Sequence, residues 1–381
     1  MISKQFKLMV LWLIKNLFPA FMFKIKKKKI VVSSFRGNSF SGNPKIVVEK
    51  LLSLSRKKNL DLDIVWLTLD EKGEDLPEGV RGIRYNSLKS LIEMASAQVW
   101  VDDFRKKYFP PKKKSQIYYQ LWHGCIPLKM IEKDSVDSLT DEYVSEAKAD
   151  SKIADYMVSG NTFTENIYRN SFWFSGEILK YGTPKIDYLV SNVNEQRLSH
   201  DKLGTNYILY CPTFRDKFQL KDYILDSKKI LAKVSKELGG HWKLLIRLHP
   251  NIRDHEKEVV DACPGSVGVT DYPSLDTLIL KSQIVITDYS SVMFDALYAN
   301  KPVILYLKEQ ENYDRNLYFQ VDELPFVICH DNEEISDCCS KIFKNEYENK
   351  YELFLDKIGN YESGKAGLKL AKHIVNQIGE L

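Results

Sequence analysis

The apolar positions of this chain fall into short runs of β-branched residues. Each run ends in a polar turn, and most are followed by apolar residues at helical spacing. Residues 30–34, 63–67, 82–85, 99–103, 117–121, 156–158 and 177–181 read as strands of a first half. Residues 207–211, 242–248, 267–269, 284–286 and 302–306 read as strands of a second. Most do not alternate apolar with polar, as expected of strands buried on both faces. Helices are predicted over 44–54, 88–97, 220–238 (closed by Gly239-Gly240), 273–280 and most of 333–381, and from Thr162 onward with a cap at Asn161 or Thr162. Strand–helix alternation throughout predicts an α/β chain of doubly wound parallel sheets. The 381 residues exceed one ordinary core, so two domains are expected, with a boundary between 175 and 200.

One stretch carries the clearest chemistry. Ile284-Val285-Ile286 leads into Thr287-Asp288-Tyr289-Ser290-Ser291, and helical spacing resumes through Val292, Phe294, Asp295, Ala296 and Leu297. Such a turn lies at the carboxyl end of a buried strand, where open α/β sheets bind ligands. Thr287, Ser290 and Ser291 would meet free backbone N–H groups and the positive end of a helix dipole, a site for phosphate that needs no metal. The plainer alternative makes Ser290 an N-cap and Asp288 a turn residue. Other strand ends are polar as well. Thr213 and Arg215 follow 207–211, and Arg247 and His249 close 242–248, so the arginines would be forks for phosphate oxygens. In the first half, 117–121 delivers Trp122-His123-Gly124, with Lys129 close behind. His123 could take a proton near neutral pH, and Gly124 permits close backbone approach. Two halves with polar strand ends facing a common cleft fit phosphoryl transfer by positioning and charge.

Composition narrows this reading. Apolar content of 44% and charge content of 28% are those of a globular protein, and a net charge of +4 makes no case for nucleic acid. Six cysteines without a C-x-x-C pair read as reduced, cytosolic thiols, and no metal ligand set is assigned. The chain carries no P-loop, G-x-G-x-x-G or kinase signature, which disfavours ATP and NAD. Near the N-terminus, Phe6, Met9, Val10, Leu13 and Leu17 fall on one helical face, and Lys24 and Lys26–Lys29 follow. The apolar run is too short to span a bilayer and has no signal-peptide cleavage site. It fits an amphipathic helix lying on an anionic membrane surface, each lysine contributing roughly 1 kcal/mol; the alternative is a buried first helix.

Taken together, the motifs resemble the CDP-glycerol glycerophosphotransferase family of teichoic acid synthesis. Leu121-Trp122-His123-Gly124 through Pro127-Leu128-Lys129 resembles its W-H-G-T-P-L-K signature, with Cys125-Ile126 where one Thr is usual. Gly182, Pro184 and Asp187 match G-x-P-R-x-D, with Lys185 for Arg. Residues 209–216 match L-Y-A-P-T-W-R-D, 246–250 match R-x-H-P, 286–295 match T-D-Y-S-S-x-x-F-D, and Asn300-Lys301-Pro302 matches N-K-P.

The resemblance implies a GT-B-like pair of domains: an acceptor-side domain at 30–185 and a CDP-donor domain at 200–360. They would be flanked by a membrane-associating segment at 1–29 and a C-terminal helix at 361–381. It implies transfer of an alditol phosphate, glycerol phosphate foremost, from CDP-glycerol (or CDP-ribitol) to an undecaprenyl-linked saccharide, releasing CMP at the cytoplasmic face of the membrane. By resemblance His123 is the base on the acceptor hydroxyl, His249 assists at the donor phosphates, and the turn at 287–291 holds the pyrophosphate. Gly124, Lys129, Gly182, Pro184, Asp187, Thr213, Arg215, Arg247, Asp288 and Asp295 complete the expected substrate contacts. No cofactor is required, though a divalent cation is compatible. The late start of the first strand favours a primase over a polymerase. A ribitol-phosphate transferase or polymerase of the same family, a GT-B glycosyltransferase using a nucleotide sugar, and a non-catalytic membrane-bound binding protein are the alternatives.

Overall fold

The computed structural model describes residues 9, 13–14, 17–69, 76–196, 204–215, 217–308, 316–344 and 347–379. Seven strands build the first sheet: β1 (Lys29–Ser33), β2 (Asp63–Thr68), β3 (Val80–Arg84), β4 (Val99–Asp102), β5 (Ile117–Gln120), β6 (Tyr156–Val158) and β7 (Glu177–Leu179). Their order is β3-β2-β1-β4-β5-β6-β7, and every pairing is parallel. Six build the second: β8 (Thr205–Cys211), β9 (His241–Ile246), β10 (Ser266–Gly268), β11 (Ile284–Thr287), β12 (Val303–Tyr306) and β13 (Val327–Cys329). They run β10-β9-β8-β11-β12-β13, again all parallel. The strand order reverses at β1 beside β4 in the first sheet and at β8 beside β11 in the second. Those reversals open a crevice at the carboxyl ends.

The central strands are buried on both faces, as their unbroken apolar runs require: Ile30, Val31 and Val32 in β1, and Ile284, Val285 and Ile286 in β11, are each at most 1% exposed. Helix starts follow local capping chemistry. Ser87 and Ser90 cap each other's backbone amides ahead of Leu88–Ser96, and Asn161 accepts from the Thr164 amide ahead of Thr162–Ser171.

Three features depart from the pattern. The helix predicted over 220–238 divides into a short 3-10 turn, Leu220–Asp222, and the helix Ser227–Leu238. Burial of Tyr223 and Leu225 pulls the chain inward, and Asp226 starts a new helix by accepting from the Lys229 amide. Strand β13 and the helix Asp141–Ile153 are elements that the sequence pattern did not predict. The N-terminal stripe rests on Phe6 and Val10, which lie outside the described residues; Met9, Leu13 and Leu17 are described and exposed. Asp216, the last residue of the motif at 209–216, also lies outside them.

The chain divides into two units. The first comprises the chain through Cys125, Ile131–Asp187 and the C-terminal stretch from Tyr361; the second comprises Ile126–Met130 and Tyr188–Asn360. The C-terminal helix Ala366–Gln377 thus belongs to the first unit, where Leu370, Ala371, Ile374 and Val375 share one core with Ile30, Val32, Ile64 and Trp66.

Candidate functional site

In the first unit, β5 ends at Gln120, and the chain passes through Leu121 and Trp122 to His123. Trp122 adopts φ 53°, a costly conformation that persists only where the surroundings impose it. The Gln120 side-chain carbonyl accepts from the Trp122 amide at 2.9 Å. The buried Asn43 side chain donates to the Trp122 carbonyl at 2.8 Å, and its oxygen accepts from the Lys185 amide at 2.9 Å. Beneath lies a buried charge network. Arg105 donates to Asp150 at 3.2 Å, Ser151 at 2.8 Å and Glu132 at 2.9 Å, and its guanidinium lies 5.5 Å from the Trp122 ring centre. Lys106 and Ser33 both donate to Asp102.

This frame holds the imidazole of His123 between aromatic rings. Phe104 stacks at 4.9 Å and 22°, Trp122 lies at 4.2 Å and Phe35 at 6.0 Å. Nδ1 is 3.1 Å from the Asp103 carbonyl. A carbonyl only accepts, so Nδ1 carries the proton and Nε2 keeps its lone pair. Burial pushes the His123 pKa down to about 4; the hydrogen bond to Asp103 opposes this, and the charges of Lys185 and Arg105 add to it. His123 is therefore neutral at neutral pH with Nε2 ready to accept a proton. A Cβ built on Gly124 would meet no atom within 4 Å, so packing does not demand glycine there and the space beside His123 is open. The residue following, Cys125, is buried. Its carbonyl accepts from Thr164 at 3.0 Å and Asn161 at 3.3 Å, which anchors the extra residue of the loop.

Asp103, one residue past β4, backs this loop. Its carboxyl accepts from the Ser34 hydroxyl at 2.7 Å and the Phe35 amide at 2.9 Å. Burial, and then the neighbouring Asp102 charge, push its pKa up to about 7.

In the second unit, the reversal point lies between β8 and β11. Asp288 accepts from the Thr213 amide at 2.9 Å and from Arg215 Nη2 at 2.9 Å, while Arg215 Nη1 donates to the Thr213 carbonyl and hydroxyl at 2.9 and 2.6 Å. Thr213, Arg215 and Asp288 thus form one assembly across the crevice. Arg215 is held by that assembly rather than standing as an unpaired fork. Arg247 leaves β9 and donates from Nη1 to the carbonyls of Val269 and Tyr272, at 3.2 and 2.7 Å. Thr287 is fully buried, and its hydroxyl donates to the Cys211 carbonyl at 2.6 Å. That hydroxyl is spent on closing the sheet end. Ser290 is partly exposed and Ser291 exposed, with the Val292 amide donating to the Ser290 hydroxyl at 3.4 Å. Asp295 is buried in the short helix Val292–Tyr298.

His249 is exposed and caps the 3-10 turn Pro250–His255, its Nδ1 accepting from the Asn251 amide at 3.2 Å. An amide only donates, so here Nδ1 is the acceptor and Nε2 carries the proton. Partial desolvation of the ring, then the Lys129 charge, lower its pKa below the ordinary value. Lys129 itself groups with the second unit: Lys129 and Leu317 form an antiparallel bridge, the Met130 amide donates to Asn316 and the Tyr318 amide to Leu128. In the sequence it follows His123 closely; by its backbone pairing it groups with the second unit.

Around Gly182, Pro184 and Asp187, the end of the first sheet is tied to the C-terminal stretch through Thr183 and Asp187. The Asp187 carboxylate accepts from the amides of Ala366 and Gly367 at 2.7 and 2.8 Å, and the Thr183 amide donates to both oxygens of Glu362 at 2.8 and 2.9 Å. Gly182 has φ 101°, and a Cβ there would lie 2.6 Å from Glu362 Oε2. Asn43, Asp103, Arg105 and Glu362 all matter to this architecture, and their partners lie far away in sequence. Among the described residues, no cluster of three or more His, Cys, Asp or Glu could hold a metal ion, and no helix is long and apolar enough to cross a membrane.

Two parallel α/β sheets, one presenting a neutral histidine at its carboxyl edge and the other a serine turn with two arginines, describe a GT-B-like transferase that handles phosphate. The family profile CDP-Glycerol:Poly(glycerophosphate) glycerophosphotransferase matches residues 16–376, and the chain belongs to that family. It is 28% identical over 368 residues to a teichoic acid poly(glycerol phosphate) polymerase of Bacillus spizizenii, covering 92% of each chain. It is also 28% identical over 376 residues to a teichoic acid glycerol-phosphate transferase of Staphylococcus aureus, covering 91% of this chain and 93% of that one. The solved structure of the wall teichoic acid polymerase TagF superposes with a TM-score of 0.78 at 28% identity, covering 93% of this chain and 90% of that one.

Proposed function

We propose that this enzyme transfers glycerol phosphate from CDP-glycerol to a hydroxyl of a lipid-linked saccharide in teichoic acid synthesis, working at a membrane surface. The acceptor oxygen attacks the phosphorus that bears glycerol. A P–O bond forms to the acceptor, the bond to CMP breaks, and the acceptor proton passes to Nε2 of His123. The second unit holds the nucleotide diphosphate. Arg247 and the Arg215–Thr213–Asp288 assembly, with Ser290 and Ser291, surround its oxygens, and the Nε2–H of His249 donates to the departing phosphate. The observation that carries this reading is the tautomer of each histidine. Backbone partners leave one with a lone pair at Nε2 and the other with a proton there, as a base and a donor require.

Exposed Leu17, Phe21 and Met22 beside exposed Lys24, Lys26 and Lys27 support the membrane part. On that reading, Leu17→Ser/Phe21→Ser/Met22→Ser weakens co-sedimentation with anionic vesicles while CDP-glycerol turnover in detergent is kept. Unchanged vesicle binding would contradict it.

CMP release from CDP-glycerol and CDP-ribitol, by wild type and His123→Gln, tests the reaction. Acceptor-dependent release from CDP-glycerol, lost in the variant, is expected. Release of UDP from a UDP-sugar with no CMP from either donor would point to a glycosyltransferase instead.

A further inference from the structure

The crevice of the first sheet holds a cation for which the reaction described above has no use. β1 is the strand at which the sheet order reverses, and it ends beside β4, with Ser33 opposite Asp102. Ligands bind at such reversals. The chain leaving β1 turns through two consecutive non-glycine residues in the left-handed region, Phe35 at φ 45° and Arg36 at φ 56°. Backbone of this kind survives only where its surroundings over-determine it, and here they do. The Asp103 carboxyl grips the Ser34 hydroxyl and the Phe35 amide. The Gly37 amide donates to the Ser34 carbonyl at 2.8 Å, and the Leu69 amide donates to Gly37 at 2.7 Å. A Cβ on Gly37 would come within 2.8 Å of the Tyr85 Cβ, so the turn has no room to relax.

The turn carries Arg36 to the aromatic wall of His123. The guanidinium carbon lies 5.0 Å from the centre of the Phe104 ring, the same ring that stacks on the His123 imidazole. The Arg36 Nε is buried and has no hydrogen-bond partner among the described residues. A buried, unsatisfied N–H on a permanently charged group is costly, and it calls for an acceptor that none of the described residues supplies.

We propose that Arg36 binds a phosphate oxyanion of the acceptor substrate, beside the hydroxyl that His123 deprotonates. This inference rests on the reading of His123 as the base acting on the acceptor. The planar guanidinium matches phosphate oxygens, and the Phe104 face holds its orientation. Two acceptor phosphates share this chemistry: the diphosphate joining saccharide to lipid, and the diester of a glycerol phosphate added earlier. The second would make Arg36 a residue that favours acceptors already bearing a unit.

The test uses the full chain as wild type, Arg36→Met and Arg36→Lys. Initial rates of CMP release are measured with CDP-glycerol varied, and then with two acceptors varied: an alkyl-diphosphate disaccharide, and the same molecule carrying one terminal glycerol phosphate. Arg36→Met is expected to raise the acceptor KM about tenfold or more, the loss of one charge-assisted contact, with the KM for CDP-glycerol unchanged. Arg36→Lys, which keeps the charge and loses the fork, recovers part of the loss; a merely structural arginine would not give this split. An effect confined to the phosphate-capped acceptor assigns the diester, and an equal effect on both acceptors assigns the lipid diphosphate. Acceptor KM values equal to wild type, or a rise only in the KM for CDP-glycerol, overturn the inference and leave the proposed reaction standing. Wild type that releases no CMP with either acceptor overturns both. Should Arg36→Met fail to fold, Arg36→Gln replaces it in the same comparison.

Discussion

His123 and His249 differ in one local respect that decides their chemistry. The ring nitrogen nearest the backbone meets a carbonyl in the first and an amide in the second. Replacing His123 by Gln keeps a polar side chain and removes the basic ring nitrogen. The turnover number should fall by about 10²–10⁴-fold, the worth of a positioned base, with the KM for CDP-glycerol close to wild type. A fall in donor affinity with turnover preserved would contradict its role. The pH dependence follows from burial. The base works unprotonated, and its pKa is pushed down to about 4. Activity therefore persists as pH falls through 6.5, the usual histidine value, and the acid limb of kcat/KM that His123 governs lies near 4. A limb near 6.5 that disappears in His123→Gln would contradict the buried, neutral imidazole. Both histidines were legible as residues at strand ends. Their tautomers were not, because the deciding partners are a backbone carbonyl twenty residues away in one case and a turn amide in the other.

Among the elements, the loop 121–125 depends on parts drawn from several strands and helices. Asn43 sits at the start of the helix Gly42–Lys58, yet it joins the Trp122 carbonyl to the Lys185 amide. Asn43→Ala leaves both groups without their partner and should cost about 1–3 kcal/mol of stability, read as a lower denaturant midpoint, along with a reduced turnover number. Full stability in that variant would mean the loop is held otherwise. Arg105→Met strips the cation from buried Asp150 and Glu132 and should cost about 3–5 kcal/mol, as breaking a buried ion pair does; a loss below 1 kcal/mol would show those carboxyls to be satisfied by other groups. The strands were readable because parallel sheets demand unbroken apolar runs, which are visible in the chain itself. Arg105, Asp150 and Glu132 were not, since charged residues look alike in sequence until folding buries them. Gly182, Pro184 and Asp187 carried a motif, but the ties of that segment to Glu362, Ala366 and Gly367, made by Thr183 and Asp187, were not visible in it. Pattern alone does not distinguish a glycine that admits a ligand from one that admits a glutamate.

Over the whole chain, two doubly wound parallel sheets account for the family and for the division of labour proposed between them. Alternating strand and helix signals carried the fold class, and six motifs in order carried the family. The return of the C-terminal helix to the first unit was not visible, because the apolar face of Ala366–Gln377 says only that it packs, not against what. The central claim is that the histidine unit activates an acceptor hydroxyl while the serine–arginine unit holds CDP-glycerol. The most direct measurement is CMP release from CDP-glycerol by wild type and His123→Gln, with and without a lipid-diphosphate disaccharide acceptor. The account predicts rapid release only when acceptor and His123 are both present. Equal CMP release by the two proteins in the presence of acceptor would contradict it.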